Sequence, residues 1–295
     1  MSNVLDQLPR GARVAVLRLR SLGDCVLTTP AIEILKSARP DLKLGVMVES
    51  GFRAVFEDNP DIDALLAPSL GALRNFRPEL CLNLHGGTRS AWMTALSGAR
   101  LRAGFAHFRR QFVYNLHIPR AQQILGEERK VHTAEHLASA MFWLGAPRVR
   151  IPRAKLVAQH TQAARSIAVI HAIAATPAKT WQAAGFLAAA NYLRDQGLEP
   201  VFIGTPADDL SAFRGFRTQT GSLAELKSLF TSASLFLGND SGPAHMAAAF
   251  GLPVVVIFSD SDPEIWAPWR TTGEALIRPD SDRVLGALAR LRVPA

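Results

Sequence analysis

The segment "GNDSGPAH", residues 238–245, sets two glycines, a proline and three small polar residues between the apolar runs "LFL" and "MAAAFGLPVVVIF". Such a pattern is a strand that ends in a turn and opens a helix. The first N–H groups of a helix have no internal partner, and the aligned peptide dipoles make that end partly positive. Ser241 and Gly242 let a ligand come close to the backbone, and Pro243 suits a first helical turn. The arrangement fits a phosphate or diphosphate. Simple capping of the helix by Asp240 or Ser241 accounts for the same letters.

Three further segments carry residues that could do chemistry. In "RLRSLGDCVLTTPAIEILK" (18–36), Asp24 sits in a glycine turn at a helix start. An aspartate there is commonly an N-cap. Its chemical use would be as a general base that accepts a proton from a hydroxyl nucleophile. In "HAIAATPAKTWQAAGF" (171–186), Lys179 precedes a helix and could neutralise a diphosphate, or it is a surface lysine. In "SDSDPEIWAPW" (259–269), Asp260 and Asp262 form a D-x-D pair able to hold a divalent metal. A turn with Asp262 before Pro263 explains that pair more cheaply and is preferred, with Trp266 and Trp269 as packing residues.

The elements that must position these residues alternate along the chain. Strands are predicted at 13–19, 43–50 and 78–86, with helices at 25–38, 90–97 and 133–144. The second half repeats the pattern, with strands at 166–174, 200–204, 235–238 and 254–258. Its helices are predicted at 182–195, 223–233 and 244–250. Alternation of this kind gives a parallel sheet with helices on both faces. Two α/β domains are expected, 1–150 and 151–295, with 145–162 as the linker and one hinge. Ligands of open α/β sheets bind at the carboxyl ends of the strands, and all four segments follow strands.

Composition narrows the class. At 295 residues and 48% hydrophobic content the chain can build two cores. No apolar run reaches the ~18–20 residues of a membrane span. The N-terminus reads as lacking a signal-peptide core. Cys25 and Cys81 are the only cysteines, so no disulfide framework is expected, and no Cys/His spacing points to zinc. These features read as a cytoplasmic protein. Residues 1–150 hold 20 Lys+Arg against 13 Asp+Glu, and residues 151–295 hold 13 against 12, so nearly all of the +8 lies in the first half. Most of it is arginine, which favours bidentate contact with phosphate or carboxylate groups. With two tyrosines and no recognisable binding motif, nucleic acid is not the expected partner.

In order along the chain, "SLGDCVLTTPAIEILKSARPD", "NLHGGTRSAWMTALSGARLRAGF", "AKTW" and "GNDSGPAHMAAAFGLPVVVIFSDSDPEIWAPW" resemble glycosyltransferase family 9. These are the ADP-heptose:lipopolysaccharide heptosyltransferases. The resemblance implies a GT-B fold, α/β with two Rossmann-like domains whose parallel sheets face a central cleft. The N-terminal domain would bind the acceptor and the C-terminal domain the nucleotide sugar. It also implies inverting transfer of heptose from ADP-heptose to a hydroxyl of the lipopolysaccharide inner core, with no required metal and no cofactor. Asp24 matches the family's proposed base and Lys179 its diphosphate-contacting lysine. Asp240, Ser241 and Gly242 match the donor loop, with His245 just beyond. Asp208, in "GTPADD", falls near a nucleotide-contacting acidic position. On this reading Arg18, Arg20, Arg89, Arg109 and Arg110 supply the contacts to an acidic acceptor. The same basic surface could rest against the anionic inner leaflet, at ~1 kcal/mol per well-placed basic residue. Two alternatives stay open. One is a transferase of the same build with another nucleotide sugar or acceptor, and the other is a non-catalytic nucleotide-binding protein of this fold.

Overall fold

Short runs rich in Val, Leu, Ile and Phe, bounded by glycine, proline and polar turns, form the strands of two parallel sheets. A strand covered on both faces has no solvent side and needs no polar alternation, so such runs read as continuously apolar. The computed structural model describes residues 3–158, 166–174 and 176–291. The chain divides into two units, Met1–Val157 and Ala158–Ala295.

The first unit runs β1 (Arg13–Leu17), α1 (Leu22–Ala38), β2 (Lys43–Met47), β3 (Ala64–Leu66), α2 (Leu70–Phe76) and β4 (Leu80–Asn83). It continues through α3 (Thr88–Ala95), β5 (Leu101–Phe105), β6 (Leu116–Ile118), α4 (Ala121–Leu125) and α5 (Thr133–Leu144). The strand order is β3-β2-β1-β4-β5-β6, all parallel. Ala15, Leu17, Met47, Leu73 and Cys81 form part of its core.

The second unit runs β7 (Ile167–His171), α6 (Ala183–Asp195), β8 (Glu199–Gly204), β9 (Arg217–Thr220), α7 (Leu223–Thr231) and β10 (Ala233–Asn239). It closes with α8 (Gly242–Ala249), β11 (Val254–Phe258), α9 (Pro263–Trp266), β12 (Gly273–Ile277) and α10 (Ser281–Arg290). The order β12-β11-β10-β7-β8-β9 is again all parallel. Phe186, Phe202, Leu235, Leu237 and Ile257 anchor its core.

Counted from its own first strand, each sheet has the order 3-2-1-4-5-6. The chain therefore reverses direction across the sheet between β1 and β4 in one unit and between β7 and β10 in the other. Crevices for ligands open at such reversal points, outside the carboxyl ends of the strands. At the second of them Gly238 permits close packing. A Cβ there would lie 2.9 Å from the carbonyl oxygen of His171 and 2.8 Å from the Phe236 ring.

Two helices begin earlier than the sequence predicts, α1 at Leu22 and α8 at Gly242. In α8 the proline lies inside the first turn, where a missing N–H costs nothing. Residues 145–157 belong to the first unit. Ile151, Ala154 and Leu156 are buried. The Lys155 backbone N–H donates to Thr29 Oγ1 at 2.9 Å, and its ammonium meets Asp61 at 2.6 Å and Glu33 at 3.0 Å. Of the expected linker, 159–162 lie outside the described residues.

Candidate active site

At the β1/β4 reversal, Arg18 leaves the end of β1 and Asp24 lies in the first turn of α1. Because α1 starts at Leu22 with Ser21 as the N-cap residue, Asp24 is inside the helix and is not its cap. Ser21 Oγ donates to Asp24 Oδ2 at 3.0 Å, and Arg18 Nη1 lies 3.8 Å from Asp24 Oδ1. Arg18 is only 5% exposed, and its Nη2 donates to the Leu84 carbonyl. Burial pulls the guanidinium below its ordinary value, and the charge of Asp24 opposes that shift. A buried cation of this kind fixes the carboxylate that faces it.

His85 follows β4 and faces the same cluster. Burial lowers its pKa, and Arg18 and Arg20 lower it further. His85 Nδ1 and Arg18 Nε are buried and have no hydrogen-bond partner among the described residues. The turn that carries His85 is held by Asn83, fully buried at the end of β4. Its Oδ1 accepts from the N–H groups of His85 (3.0 Å) and Gly86 (3.1 Å). Its Nδ2 donates to Ser90 Oγ (3.1 Å) and Tyr114 Oη (2.9 Å). All four hydrogen-bonding positions of the amide are used.

The β7/β10 reversal is built in the same way. Asn239, also fully buried, ends β10. Its Oδ1 accepts from the Trp181 N–H and its Nδ2 donates to the Ala172 carbonyl, both at 2.9 Å. These bonds bring the segment that carries Lys179 against the end of β10. Trp181 is fixed further by its indole N–H, which donates to the Pro279 carbonyl at 3.0 Å. Lys179 ends a short 3-10 turn, Pro177–Lys179. Its charge acts on Asp240, whose carboxyl is pushed up by burial and held back by Ser261 and then Lys179. The Ser261 hydroxyl donates to Asp240 Oδ2.

Ser241 is the N-cap residue of α8, yet its side chain makes no capping bond. Its Oγ lies 3.0 Å from Nδ1 of His171, the last residue of β7. Burial lowers His171 to about 4, so the imidazole is neutral near pH 7. The start of α8 thus keeps N–H groups that no side chain of the cap satisfies, next to a lysine. That is the arrangement an anionic ligand requires.

The remaining predicted residues are distributed as follows. Asp208 Oδ2 accepts from the N–H (2.6 Å) and Oγ1 (2.9 Å) of Thr205, which closes the turn after β8, and its charge reaches His171. His245 is buried in α8 at 4% exposure. Asp262 caps α9, accepting from the Glu264 N–H at 3.0 Å, and Asp260 lies 3.8 Å from Arg278. The D-x-D pair is therefore a turn and a cap. Arg20 and Arg109 are exposed. Arg89 is exposed and meets Glu49 at 3.2 Å and the Pro68 carbonyl at 2.7 Å. Arg110 Nε donates to Thr88 Oγ1 at 3.3 Å. Burial pushes the Cys25 and Cys81 thiols up to about 12, so neither is a nucleophile near neutral pH. Among the described residues no three His, Cys, Asp or Glu side chains gather as a metal-binding group.

The model of glycosyltransferase family 9 (heptosyltransferase) matches residues 70–281. The chain belongs to that family. Lipopolysaccharide heptosyltransferase 3 of Escherichia coli is 28% identical over 287 residues, covering 85% of this chain and 84% of that protein. The structure of E. coli ADP-heptose lps heptosyltransferase II superposes with a TM-score of 0.78 at 18% identity, over 95% of this chain and 98% of that one. E. coli heptosyltransferase WaaC with ADP gives 0.77 at 17% identity, over 94% of this chain and 99% of that one. These superpositions establish the GT-B fold. No helix among the described residues is long and apolar enough to cross a membrane.

Sequence reasoning did not single out Asn83, His85, His171 or Asn239. The two asparagines had a visible signal, since each ends an apolar run just before a glycine-containing turn, "CLNLHGG" and "FLGNDSG".

Proposed function

We propose that this chain is an inverting, metal-independent heptosyltransferase that moves heptose from ADP-heptose to a hydroxyl of the lipopolysaccharide inner core. The first unit holds the acceptor and the second the nucleotide sugar. One observation carries the reading: each sheet has its chemistry at its reversal point. A carboxylate fixed by Ser21 and Arg18 stands at the first, and Lys179 beside an uncapped helix start stands at the second. The E. coli relatives, a lipopolysaccharide heptosyltransferase among them, support it.

Inverting transfer needs one base, because the departing nucleotide diphosphate is a stable anion and requires no proton. Asp24 is that base. It takes the proton of the acceptor hydroxyl as the oxygen attacks the anomeric carbon from the face opposite the diphosphate. Ser21 and Arg18 aim its two oxygens. Arg18 acts through Asp24 and does not touch the acceptor, because its side chain is buried. Arg20, Arg89, Arg109 and Arg110 remain the contacts to the acidic acceptor. Charge that builds on the diphosphate is met by Lys179 and the N–H groups at the start of α8, with Asp240, Ser241 and Gly242 as the loop. These groups supply the positive charge that a metal supplies elsewhere, while Asp260 and Asp262 are engaged by Arg278 and the α9 cap. Asp208 and His171 support the nucleotide side of the same loop. The acceptor is carried by a lipid, so the enzyme works at the inner face of the membrane as a peripheral protein.

The test is nucleotide binding by the purified protein with ADP, UDP, GDP and dTDP, beside Lys179→Ala. Preference for ADP, weakened by the substitution, is expected. Preference for another base would discard the heptose assignment and keep the fold. No binding of any nucleotide would make the protein a non-catalytic member of the family.

A further inference from the structure

The first unit carries an apolar surface that the reaction chemistry does not use. Trp92 and Leu96 stand one turn apart on the outer side of α3 and its C-terminus, 46% and 47% exposed, and Phe112 is 68% exposed. Trp92 and Phe112 meet edge to face, with ring centroids 6.2 Å apart. The inner side of the same helix, Ser90, Ala91 and Thr94, is buried, so the outward aromatic side is not needed for its core packing.

Arginines border this patch. The Arg110 guanidinium lies 6.0 Å from the centre of the Trp92 ring. Arg74 Nε donates to the Leu96 carbonyl at 2.9 Å, and Arg109 is exposed beside Arg110. Between Glu79 and Glu127 the sequence contains six arginines and no acidic residue. Arg89, on the same helix as Trp92, pairs with Glu49 at 3.2 Å.

We infer that the Trp92–Leu96–Phe112 patch with its arginine border is a docking face for an anionic lipid bilayer. Amphipathic aromatic rings settle at the headgroup level of a membrane, and nearby arginines meet lipid phosphates while their stems stay in the apolar layer. Basic residues at such a surface add attraction to anionic lipids. A second copy of this chain fits less well, because a two-fold contact would set each arginine border against itself. A single-stranded nucleic acid would need open ring faces for stacking, whereas Arg110 and Phe112 already approach Trp92. The inference rests on the proposed activity in one respect: a lipid-borne acceptor gives the enzyme a reason to dock.

The experiment is vesicle co-sedimentation of the full chain, using phosphatidylcholine with and without phosphatidylglycerol, with ADP titration in parallel. The protein is expected to partition onto the anionic vesicles and to release as salt is raised. W92S/F112S should lose about tenfold or more in partitioning, from the apolar area withdrawn, with ADP binding unchanged. W92F/F112L, which keeps most of that area but loses the amphipathic indole, should partition less well than the unsubstituted protein and better than W92S/F112S. F112S alone, at the most exposed position, should move the same way and serves if the double variant does not fold. Undiminished binding by W92S/F112S, equal binding to uncharged vesicles, or no binding to either would overturn the inference. So would a change in sedimentation coefficient on substitution without vesicles, which would assign the face to a second copy. Binding of a single-stranded oligonucleotide that depends on Trp92 would also overturn it. In the unsubstituted protein, ADP binding without vesicle binding refutes the face alone. The converse refutes the transferase reading alone.

Discussion

The hydroxyl of Ser241 lies 3.0 Å from Nδ1 of His171, so the N-cap residue of α8 bonds to the neighbouring strand end and not to its own helix. The same packing buries the imidazole and lowers it from 6.5 to about 4. The folded value lies below the unfolded one, so the unfolded chain takes up this proton first as the pH falls. The stability that His171 contributes is complete above about pH 6.5 and is lost as the pH drops towards 4. At pH 5 the loss is on the order of 2 kcal/mol. Thermal unfolding at pH 7.5 and pH 5 should therefore give a smaller drop in Tm for His171→Gln than for the unsubstituted protein. Equal drops would remove His171 as the source.

Asn239 joins two backbone groups of the Lys179 segment to β10, through the Trp181 N–H and the Ala172 carbonyl. Asn239→Leu keeps the volume and removes both bonds. Two buried backbone groups left without partners cost about 1–3 kcal/mol each. Urea unfolding should show a loss of ~2–6 kcal/mol, with weaker ADP binding because Lys179 is no longer held. A stability change within ~0.5 kcal/mol would mean that water or a relaxed loop takes over both bonds.

Much of this organisation was legible in the sequence. The runs "RVAVL" and "VVVIF" sit in buried central strands, and their apolar continuity marked a sheet covered on both faces. The strands β3, β6 and β9 are not legible, because edge strands of three or four residues such as "RTQT" bury too little surface to leave a pattern, and the five-residue strands β5 and β12 go unpredicted as well. Asp24 and Lys179 stand out in the sequence because each is a charged residue next to a glycine or proline turn. The sequence groups Arg18 with Arg20, Arg89, Arg109 and Arg110 as acceptor contacts, whereas the structure buries it. Its burial depends on α1 starting at Leu22 and on the Leu84 carbonyl 66 residues away, and neither is a local property of the sequence. His171 was missed for a similar reason: its partner Ser241 is 70 residues distant.

Arg109 is exposed, and Arg110 is tethered by Thr88 and the Trp92 ring. Both can turn towards an acidic acceptor with little loss of packing. R109Q/R110Q should raise the KM for acceptor several-fold to about tenfold, in line with the loss of exposed charged contacts. ADP binding should not change, since the nucleotide is assigned to the other unit. Steady-state kinetics with a heptose-deficient lipopolysaccharide core would measure it. An unchanged KM would reduce these arginines to a solubilising or lipid-facing role.

Asp24 offers the sharpest test of the chemistry. Ser21 Oγ donates to one carboxylate oxygen at 3.0 Å, and the buried Arg18 faces the other at 3.8 Å, so the side chain is held without being capped or neutralised by direct contact. A base aimed in this way contributes ~10²–10⁴ to the rate of proton transfer. Asp24→Ala should therefore lower kcat by ~10²–10⁴ with ADP affinity little changed. Ser21→Ala, which removes one aiming bond and leaves the base, should lower kcat far less and leave the protein able to bind both substrates. Turnover measured at saturating donor separates the two roles. Near-normal turnover by Asp24→Ala would remove it from the mechanism and turn attention to His85, the other proton acceptor in the cluster.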